Sequence, residues 1–352
     1  MTLTKISFGY GFLIVLSICL VFGFSQNLKL GWAINLFERF GYLHITMRVM
    51  PRNDTKWIFR EPSVEIFKDI EPMKKTELLS EGNSVFHGNF NMFFCDDLHE
   101  LFKTYFQEFA IERLDEPWEA FLENFSNETL AYNLGINVSY VSGDHCYVLV
   151  KITRVRDKIS FLPEFEALNA SVNQAVLDKA DTVKLGDMSS LWGFVKTFGS
   201  HYITSYATGN SMYQVIVYSQ KIYKKLRDKI EKASGFQSLS NEEINFLFSP
   251  QFAEHMGYVL TSSGNETLLN WAEESLNSSY TVPADPPYKI TYSNLLKLYR
   301  NSKLLKQLEV LLGNEALLHL KLMTVGPVFK DKQIRDWFLE VLDNNLKLWE
   351  VN

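Results

Sequence analysis

The residues Phe198-Gly199-Ser200-His201-Tyr202, followed after six further residues by Gly209-Asn210, are the most informative stretch of this 352-residue chain. Helix-spaced apolar residues lead up to Phe198, and Gly199 is placed to end that helix. The segment from Tyr202 to Tyr218 then reads as one long strand, which Gly209-Asn210 interrupts. A sharp bend there would need φ > 0, which Gly accepts freely and Asn tolerates next best. The stretch therefore predicts a helix, a tight turn and a long strand bent at residue 209.

Other elements follow from apolar spacing and capping residues. Asp97 opens a helix whose apolar residues recur every three or four positions, and Glu100 completes a pair that resembles a capping box. The remaining predicted strands are Tyr42–Met50, Phe86–Cys95, Cys146–Val155 and His255–Thr261, and the remaining helices are Leu28–Phe40, Glu164–Leu177, Asp187–Phe198, Lys221–Lys232 and the part from Asn294 onward. Few, widely separated strands with helical clusters between them predict an α+β fold, not a parallel sheet.

The segment around His201 resembles the signature of the membrane-attack-complex/perforin (MACPF) family. That signature is an aromatic residue, Gly, Ser or Thr, His, an aromatic residue, six residues and a Gly pair, and Asn210 stands here in place of the second Gly. A closing segment similar to the family's follows, with Trp271, Leu276, Pro283 and a short strand at Tyr288–Tyr292. The resemblance covers roughly residues 85 to 298.

The resemblance implies a bent, twisted antiparallel four-stranded sheet flanked by two helical clusters, with a helical C-terminal tail. It divides the chain into a signal peptide (1–25), an N-terminal segment (26–84), a MACPF core (85–298) and a helical C-terminal extension (299–352). The signature residues are expected to be structural: Phe198, Gly199, Ser200, His201, Tyr202, Gly209 and Asn210. For His201 we expect a hydrogen bond across the bend that holds a helix against the sheet, in preference to a catalytic or ligand role.

The first residues predict a cleaved signal peptide. Lys5 supplies the positive start, an apolar run spans residues 12–22, and Gly23 and Ser25 are small residues at the positions that a signal peptidase reads. The run is shorter than the roughly 20 apolar residues that a membrane span needs. We therefore expect a secreted, extracellular protein.

Seven Asn-x-Ser/Thr sequons agree with that route, and each is a candidate N-glycosylation site on the surface. They are Asn53, Asn124, Asn127, Asn137, Asn169, Asn265 and Asn277. After loss of Cys19 with the signal peptide, Cys95 and Cys146 remain. In an oxidising compartment two cysteines most simply form one disulfide, and two unpaired buried thiols are the alternative.

Several functional classes lack support in the sequence. The net charge is −6 and no block of Lys or Arg stands out, which argues against a nucleic-acid partner. No nucleophile-elbow, zinc-protease or phosphate-loop motif occurs, so we expect no enzymatic activity and no cofactor. The acidic residues Asp96, Asp97 and Glu100, with His99, are better explained as a helix cap than as a metal site.

The family includes pore formers, in which two helical clusters unfold into amphipathic membrane hairpins. The corresponding clusters here are roughly residues 96–137 and 219–254. In the strand conformation, the first would place Glu100 and Glu108 on the lipid face, and the second would place Lys224 and Asp228 there. A lysine at the membrane midplane costs about 2–4 kcal/mol. Both segments are coherent as helices with one apolar stripe, which favours a MACPF scaffold used for binding over one used for lysis.

Within the family the chain is most similar to secreted insect members that act in development. That similarity implies partners among the extracellular proteins of a receptor tyrosine kinase pathway, and association with the eggshell matrix or with membrane surfaces. The sequence is compatible with either a monomer or a homo-oligomer. The alternative function is that of an oligomerising, membrane-damaging effector.

Overall fold

The computed structural model describes residues 28–39, 64–78, 85–121, 126–141 and 143–351. The predicted signal peptide, the strand predicted at Tyr42–Met50 and the sequons at Asn53 and Asn124 lie outside these ranges, and of Asn127 only the backbone is described. The helix predicted at Leu28–Phe40 is wrong, because Trp32–Ile34 form a strand and, of its described residues, only Leu36–Arg39 are helical.

Twelve strands are assigned within these ranges. They are β1 (Trp32–Ile34), β2 (Val64–Glu65), β3 (Lys74–Leu78), β4 (Asn89–Cys95), β5 (Phe109–Ile111), β6 (His145–Phe161), β7 (His201–Ser219), β8 (His255–Met256), β9 (Leu260–Thr261), β10 (Asn277–Val282), β11 (Tyr288–Ser293) and β12 (Ala316–Thr324).

The α-helices of the same ranges follow in chain order. They are α1 (Leu36–Arg39), α2 (Leu98–Tyr105), α3 (Asn127–Asn133), α4 (Gln174–Ala180), α5 (Met188–Phe198), α6 (Gln220–Lys232), α7 (Asn241–Leu247), α8 (Glu266–Ser275), α9 (Ser302–Leu311) and α10 (Lys332–Val351).

The long strands β6 and β7 form the centre of one large sheet. They pair antiparallel over almost their whole length, from His145 opposite Ser219 to Ser160 opposite Ser205. At one end β4 lies beside β6, and β8 and β9 lie beside β7. At the other end β3 lies beside β6 and β12 lies beside β7, again antiparallel. The first half thus has four strands across, and the second has five, because β5 pairs in parallel with the outer edge of β12. The predicted α+β class with a large antiparallel sheet is confirmed.

The two faces of the sheet carry separate cores. Because successive side chains of a strand point to opposite faces, Tyr147 and Leu149 join one core while Val148 and Val150 join the other. Helices α2, α5 and α10 pack on the first face, and α6, α7, α8 and α9 pack on the second. The two helical clusters predicted from the sequence therefore lie on opposite faces of the sheet.

The tail after residue 298 is not purely helical, and that part of the prediction is wrong. Its helices α9 and α10 do form, but β12 lies between them and pairs with the first half of β7. From Leu318 onward the burial of β12 alternates: Leu320 and Leu322 are inaccessible to solvent, whereas Lys321 between them is exposed. Apolar residues that alternate with His319 and Lys321 are typical of a half-buried strand, and the helical prediction missed this signal. The predicted boundary between the core and the C-terminal extension at residue 298 therefore does not divide the sheet, because β12 of the extension belongs to it.

Candidate functional site: the signature segment and the bend

Gly199 makes the predicted turn at the end of α5. Its φ is +82°, and its N–H donates to the carbonyl of Val195, which closes the last turn of the helix. A Cβ at this position would lie 2.7 Å from the carbonyl oxygen of Ile34 in β1. Both the left-handed backbone and the close approach of β1 therefore require glycine.

Ser200 and His201 form a buried hydrogen-bond chain between three elements. The Ser200 Oγ accepts the N–H of Leu36 at 3.0 Å and lies 3.0 Å from Nδ1 of His201. The Nε2 of His201 lies 3.2 Å from the carbonyl oxygen of Glu112, just after β5. Since a carbonyl can only accept, Nε2 carries the proton and Nδ1 accepts from Ser200. The imidazole thus joins the start of β7 to the first helical cluster.

His201 is held neutral in this position. It has no solvent-exposed surface. Burial lowers the pKa of its imidazole to about 4, and the Glu112 carbonyl and carboxylate offset only part of that effect. A neutral, fully bonded and inaccessible histidine suits the structural role expected from the signature.

The two aromatic residues of the signature complete the packing on the same face. The Tyr202 ring meets Phe67 edge-on at 5.0 Å and is almost fully buried. Phe198 is half-buried against Phe194, with ring centroids 5.6 Å apart.

Gly209 is needed at the bend for a reason different from the predicted one. Positive φ values occur elsewhere among the described residues, and neither Gly209 nor Asn210 has one, so that prediction is wrong. A Cβ on Gly209 would instead lie 2.1 Å from the carbonyl oxygen of Arg154 in β6. The register shift between Val155 and Asp157 faces this point. The two central strands approach closely where the bulge forms, and only glycine leaves room.

Asn210 connects the bend to two later segments. Its side-chain nitrogen donates to Ser263 Oγ at 2.7 Å and to Glu315 Oε2 at 3.0 Å. Its oxygen accepts the N–H of Ser211. Asparagine therefore supplies bonds that a second glycine could not.

An ion pair at the bend was not predicted from the sequence. Arg154, with a side chain only 7% exposed, pairs with Glu309 of α9 and also donates to the Glu309 carbonyl. Glu309 accepts the backbone N–H of His87 at 3.0 Å and lies 2.9 Å from its ring nitrogen. Burial alone would raise the pKa of Glu309, but the bonds from His87 and the Arg154 charge outweigh it and hold that pKa below its ordinary value. Arg154 lies on a strand that also carries Lys151 and Arg156, so nothing in the sequence singled it out.

The predicted disulfide is wrong for this structure, in which Cys95 and Cys146 are free and buried thiols. Cys95 of β4 stands opposite Tyr147 of β6, one residue beyond Cys146. Because a one-residue offset changes the face, Cys95 points into the core with Tyr147 and Cys146 into the opposite one. A bridge across the sheet would require a register slip.

The described sequons differ in their surroundings. Asn137, Asn169 and Asn277 are exposed, whereas Asn265 is half-buried. The Asn265 side chain caps α8 by accepting the N–H of Leu268 and donates to Glu315 at 3.4 Å. Since a glycan attaches to that amide nitrogen, Asn265 is the least suited acceptor of these four.

The acidic residues before α2 act as its cap. Asp97 Oδ1 accepts the N–H of Glu100 at 2.8 Å, and Glu100 accepts the N–H of Asp96 at 2.7 Å. No three His, Cys, Asp or Glu side chains within the described ranges form a group that could hold a metal ion. No helix of those ranges is both long and apolar enough to cross a membrane.

The first cluster is tied to the sheet by a strand as well as by helices. Its β5 pairs in parallel with β12, and Thr324 donates its N–H to the Glu112 carboxylate at 2.6 Å. Arg113 of the same segment pairs with Asp343 of α10 at 2.5 Å. The second cluster begins with α6, which buries Tyr223, Leu226 and Ile230 and exposes its lysines.

No family model matches the chain, and no curated protein matches it. Among solved structures the chain is similar to GNIP1Aa from Chromobacterium piscinae, with 11% identity and a TM-score of 0.45 over 92% of this chain and 56% of that one. It is also similar to a Bacteroides thetaiotaomicron protein with a MAC/Perforin domain, at 12% identity and TM-score 0.41 over 90% and 62%. Astrotactin-2, a perforin-like vertebrate membrane protein involved in neuronal development, shows 12% identity and TM-score 0.34 over 85% and 45%. The chain thus spans between 45% and 62% of these three chains.

Proposed function

We propose that the chain is a secreted, glycosylated MACPF-family protein that acts by binding, without lysis and without catalysis, in extracellular developmental signalling. In this proposal it resembles the insect protein Torso-like and promotes activation of the Torso receptor tyrosine kinase in terminal patterning. The signature around His201 supports the family, since its residues build the turn, the junction and the bend described above.

The non-lytic proposal rests on the charged residues that α6 of the second helical cluster exposes to solvent. Lys224, Asp228 and Lys232 are exposed on α6, while its apolar residues face the sheet. If α6 became a membrane strand, Ile222, Leu226 and Ile230 would share one face with those three charges. Each central lysine there would cost about 2–4 kcal/mol in lipid. The segment is suited to remain a helix.

The first cluster supports the same proposal through its attachments. Unfolding it into a membrane hairpin would break the β5–β12 pairing, the His201–Glu112 bond and the Arg113–Asp343 pair together. An occupied sequon at Asn137, which is exposed beside this cluster, would add a glycan that cannot pass through lipid.

The proposed partners are extracellular proteins of the receptor tyrosine kinase pathway, with association to the eggshell matrix or a membrane surface. Nucleic acid is not among them, because the chain is acidic overall and carries no concentrated basic block. A homo-oligomer is compatible with the proposal.

Two assays on the purified, glycosylated protein test it. In the first, the protein is added to liposomes that contain a trapped dye, and we expect no release beyond that of buffer, with detergent as the full-release control. In the second, it is added to cells that carry Torso together with the receptor's extracellular ligand. We expect more receptor tyrosine phosphorylation than with ligand alone. Dye release at the same protein concentration would favour the pore-forming alternative, and unchanged phosphorylation would reject the signalling role.

A further inference from the structure

Two cavities lie on either side of the Tyr299-Arg300 turn, between the start of β4, the 3-10 helix Leu295–Leu298 and the start of α9. Each has a volume of about 400 Å³, and both are lined by Tyr299, Arg300 and Ser302. This volume is within the range of small-molecule sites in proteins, about 300–1,000 Å³. Because the cavities share three lining residues, they lie next to each other.

The first cavity is apolar. Its wall beyond the shared residues consists mainly of hydrocarbon and aromatic side chains: Phe86, Phe90, Ile152, Leu298 and Leu305. The Phe90 ring lies 5.2 Å from the Tyr299 ring, so these two residues form an aromatic part of the wall of this cavity. Such a surface binds an alkyl chain through burial of apolar area.

The second cavity is polar and carries positive charge. Its wall includes the amides of Asn241 and Asn245 and the cations Lys297 and Arg300. No carboxylate among the described residues lines either cavity. The charge of this wall is therefore complementary to an anionic group.

Arg300 is fixed at the junction of the two cavities. Its φ is +57°, a left-handed conformation that is uncommon for a residue other than glycine. Its guanidinium donates to the carbonyls of Leu239, at 3.1 Å, and of Gln237. A guanidinium has five N–H donors, so these two bonds leave donors for a ligand.

We propose that this pair of cavities binds a single-chain anionic amphiphile. The hydrocarbon chain lies in the apolar cavity, between Phe86, Phe90 and Leu305. The carboxylate or phosphate headgroup lies in the polar cavity and accepts hydrogen bonds from Arg300 and Lys297. This site is independent of the proposed signalling role, and α7 of the second helical cluster forms part of the wall of its polar cavity.

Calorimetric titration of the full chain tests the ligand class with three probes below their micelle concentrations: dodecanoate, dodecyl phosphate and the cationic dodecyltrimethylammonium. We expect the two anions to bind and the cation not to bind measurably. The tighter of the two anions distinguishes a carboxylate headgroup from a phosphate headgroup. Each methylene removed from the chain should weaken binding about fourfold, the equivalent of the roughly 0.8 kcal/mol gained by burying one methylene. Equal binding of the cation would overturn the proposal.

Three variants locate the site. Leu305→Trp fills the apolar cavity and should weaken dodecanoate binding at least tenfold. Arg300→Asn removes the charge while tolerating the left-handed backbone, and should also weaken it about tenfold or more. Lys303→Gln removes an exposed cation of α9 that lines neither cavity and should leave the affinity unchanged. If Arg300→Asn lowers the melting temperature, its affinity is not interpreted and Leu305→Trp alone tests the site. Unchanged dodecanoate affinity in Leu305→Trp would contradict the proposed position of the hydrocarbon chain.

Discussion

The burial of His201 predicts that the protein loses stability in mild acid. The imidazole is inaccessible, accepts from Ser200 and donates to Glu112, and therefore folds in its neutral form. Burial lowers its pKa from an ordinary value of 6.5 to about 4. Between those two pH values the unfolded chain binds a proton at this site and the folded chain does not. Acid therefore favours the unfolded state within that window.

The size of the effect follows from the two pKa values. One unit of pKa difference corresponds to about 1.36 kcal/mol. Lowering the pH from 7.4 to 5.0 should reduce the free energy of unfolding by about 2 kcal/mol through this single residue. The full contribution below pH 4 would be about 3.4 kcal/mol, since the two values differ by about 2.5 units.

Urea unfolding of wild type and of His201→Gln at pH 7.4 and 5.0 measures this contribution. Gln keeps a donor for Glu112 but cannot reproduce the ring geometry, so at pH 7.4 the variant should be less stable by about 1–2 kcal/mol. At pH 5.0 that difference should disappear. His255 and His319, whose pKa values burial also lowers, titrate in both proteins and cancel in the comparison.

The matched control is His99→Gln, because His99 has an exposed side chain. That variant keeps His201 and should still lose the roughly 2 kcal/mol that this residue contributes between pH 7.4 and 5.0. If His201→Gln and wild type lose the same free energy between pH 7.4 and 5.0, the imidazole is not held neutral and the reasoning fails.

Three further changes test the bend and the two cores. In urea unfolding, Gly209→Ala should destabilise the protein by about 3 kcal/mol or more, because the new Cβ would clash with the β6 backbone. Gly193→Ala, in the middle of α5 where a Cβ has room, should stabilise it by about 0.5–1 kcal/mol. Equal effects of the two changes would contradict the close approach of β6 to Gly209. Arg154→Met should cost about 3 kcal/mol, because the half-buried Glu309 carboxylate then keeps only its contacts with His87, and adding Glu309→Leu should restore part of that loss; unchanged stability in Arg154→Met would contradict this role of the pair. Iodoacetamide should not label Cys95 in the native protein, since burial raises the pKa of its thiol to about 12, but should label it after denaturation without reductant. An intact mass two hydrogens lower, with no labelling after denaturation, would show that the predicted disulfide forms.

The elements that could be predicted have local determinants. Asp97 and Asp187 cap α2 and α5 as the sequence indicates, and Gly199 ends α5 as predicted. The long strand β7 spans the predicted segment and extends one residue beyond it at each end. The predicted helix Glu164–Leu177 forms only as α4, from Gln174 to Ala180, because Asn173 supplies the cap and the preceding residues form turns.

The features that could not be predicted depend on contacts between distant segments. The face on which Cys95 lies depends on the register of β4 with β6, and spacing along the chain does not determine that register. The role of Gly209 depends on how closely Arg154 approaches from the neighbouring strand. The Arg154–Glu309 pair joins residues 155 positions apart along the chain. In each case the sequence identifies the residue but does not identify the distant residue that it contacts.

The late position of β12 in the chain has a consequence for synthesis on the ribosome. The first half of β7 has β12 as its neighbour, and Thr324 and Glu112 join across 212 residues. At elongation rates of about 5–20 residues per second, β7 emerges on the order of ten seconds before β12 does. During that interval its hydrogen-bonding edge is open to any other extended segment. Nascent chains of this protein should therefore depend on holding factors while β12 is still being made.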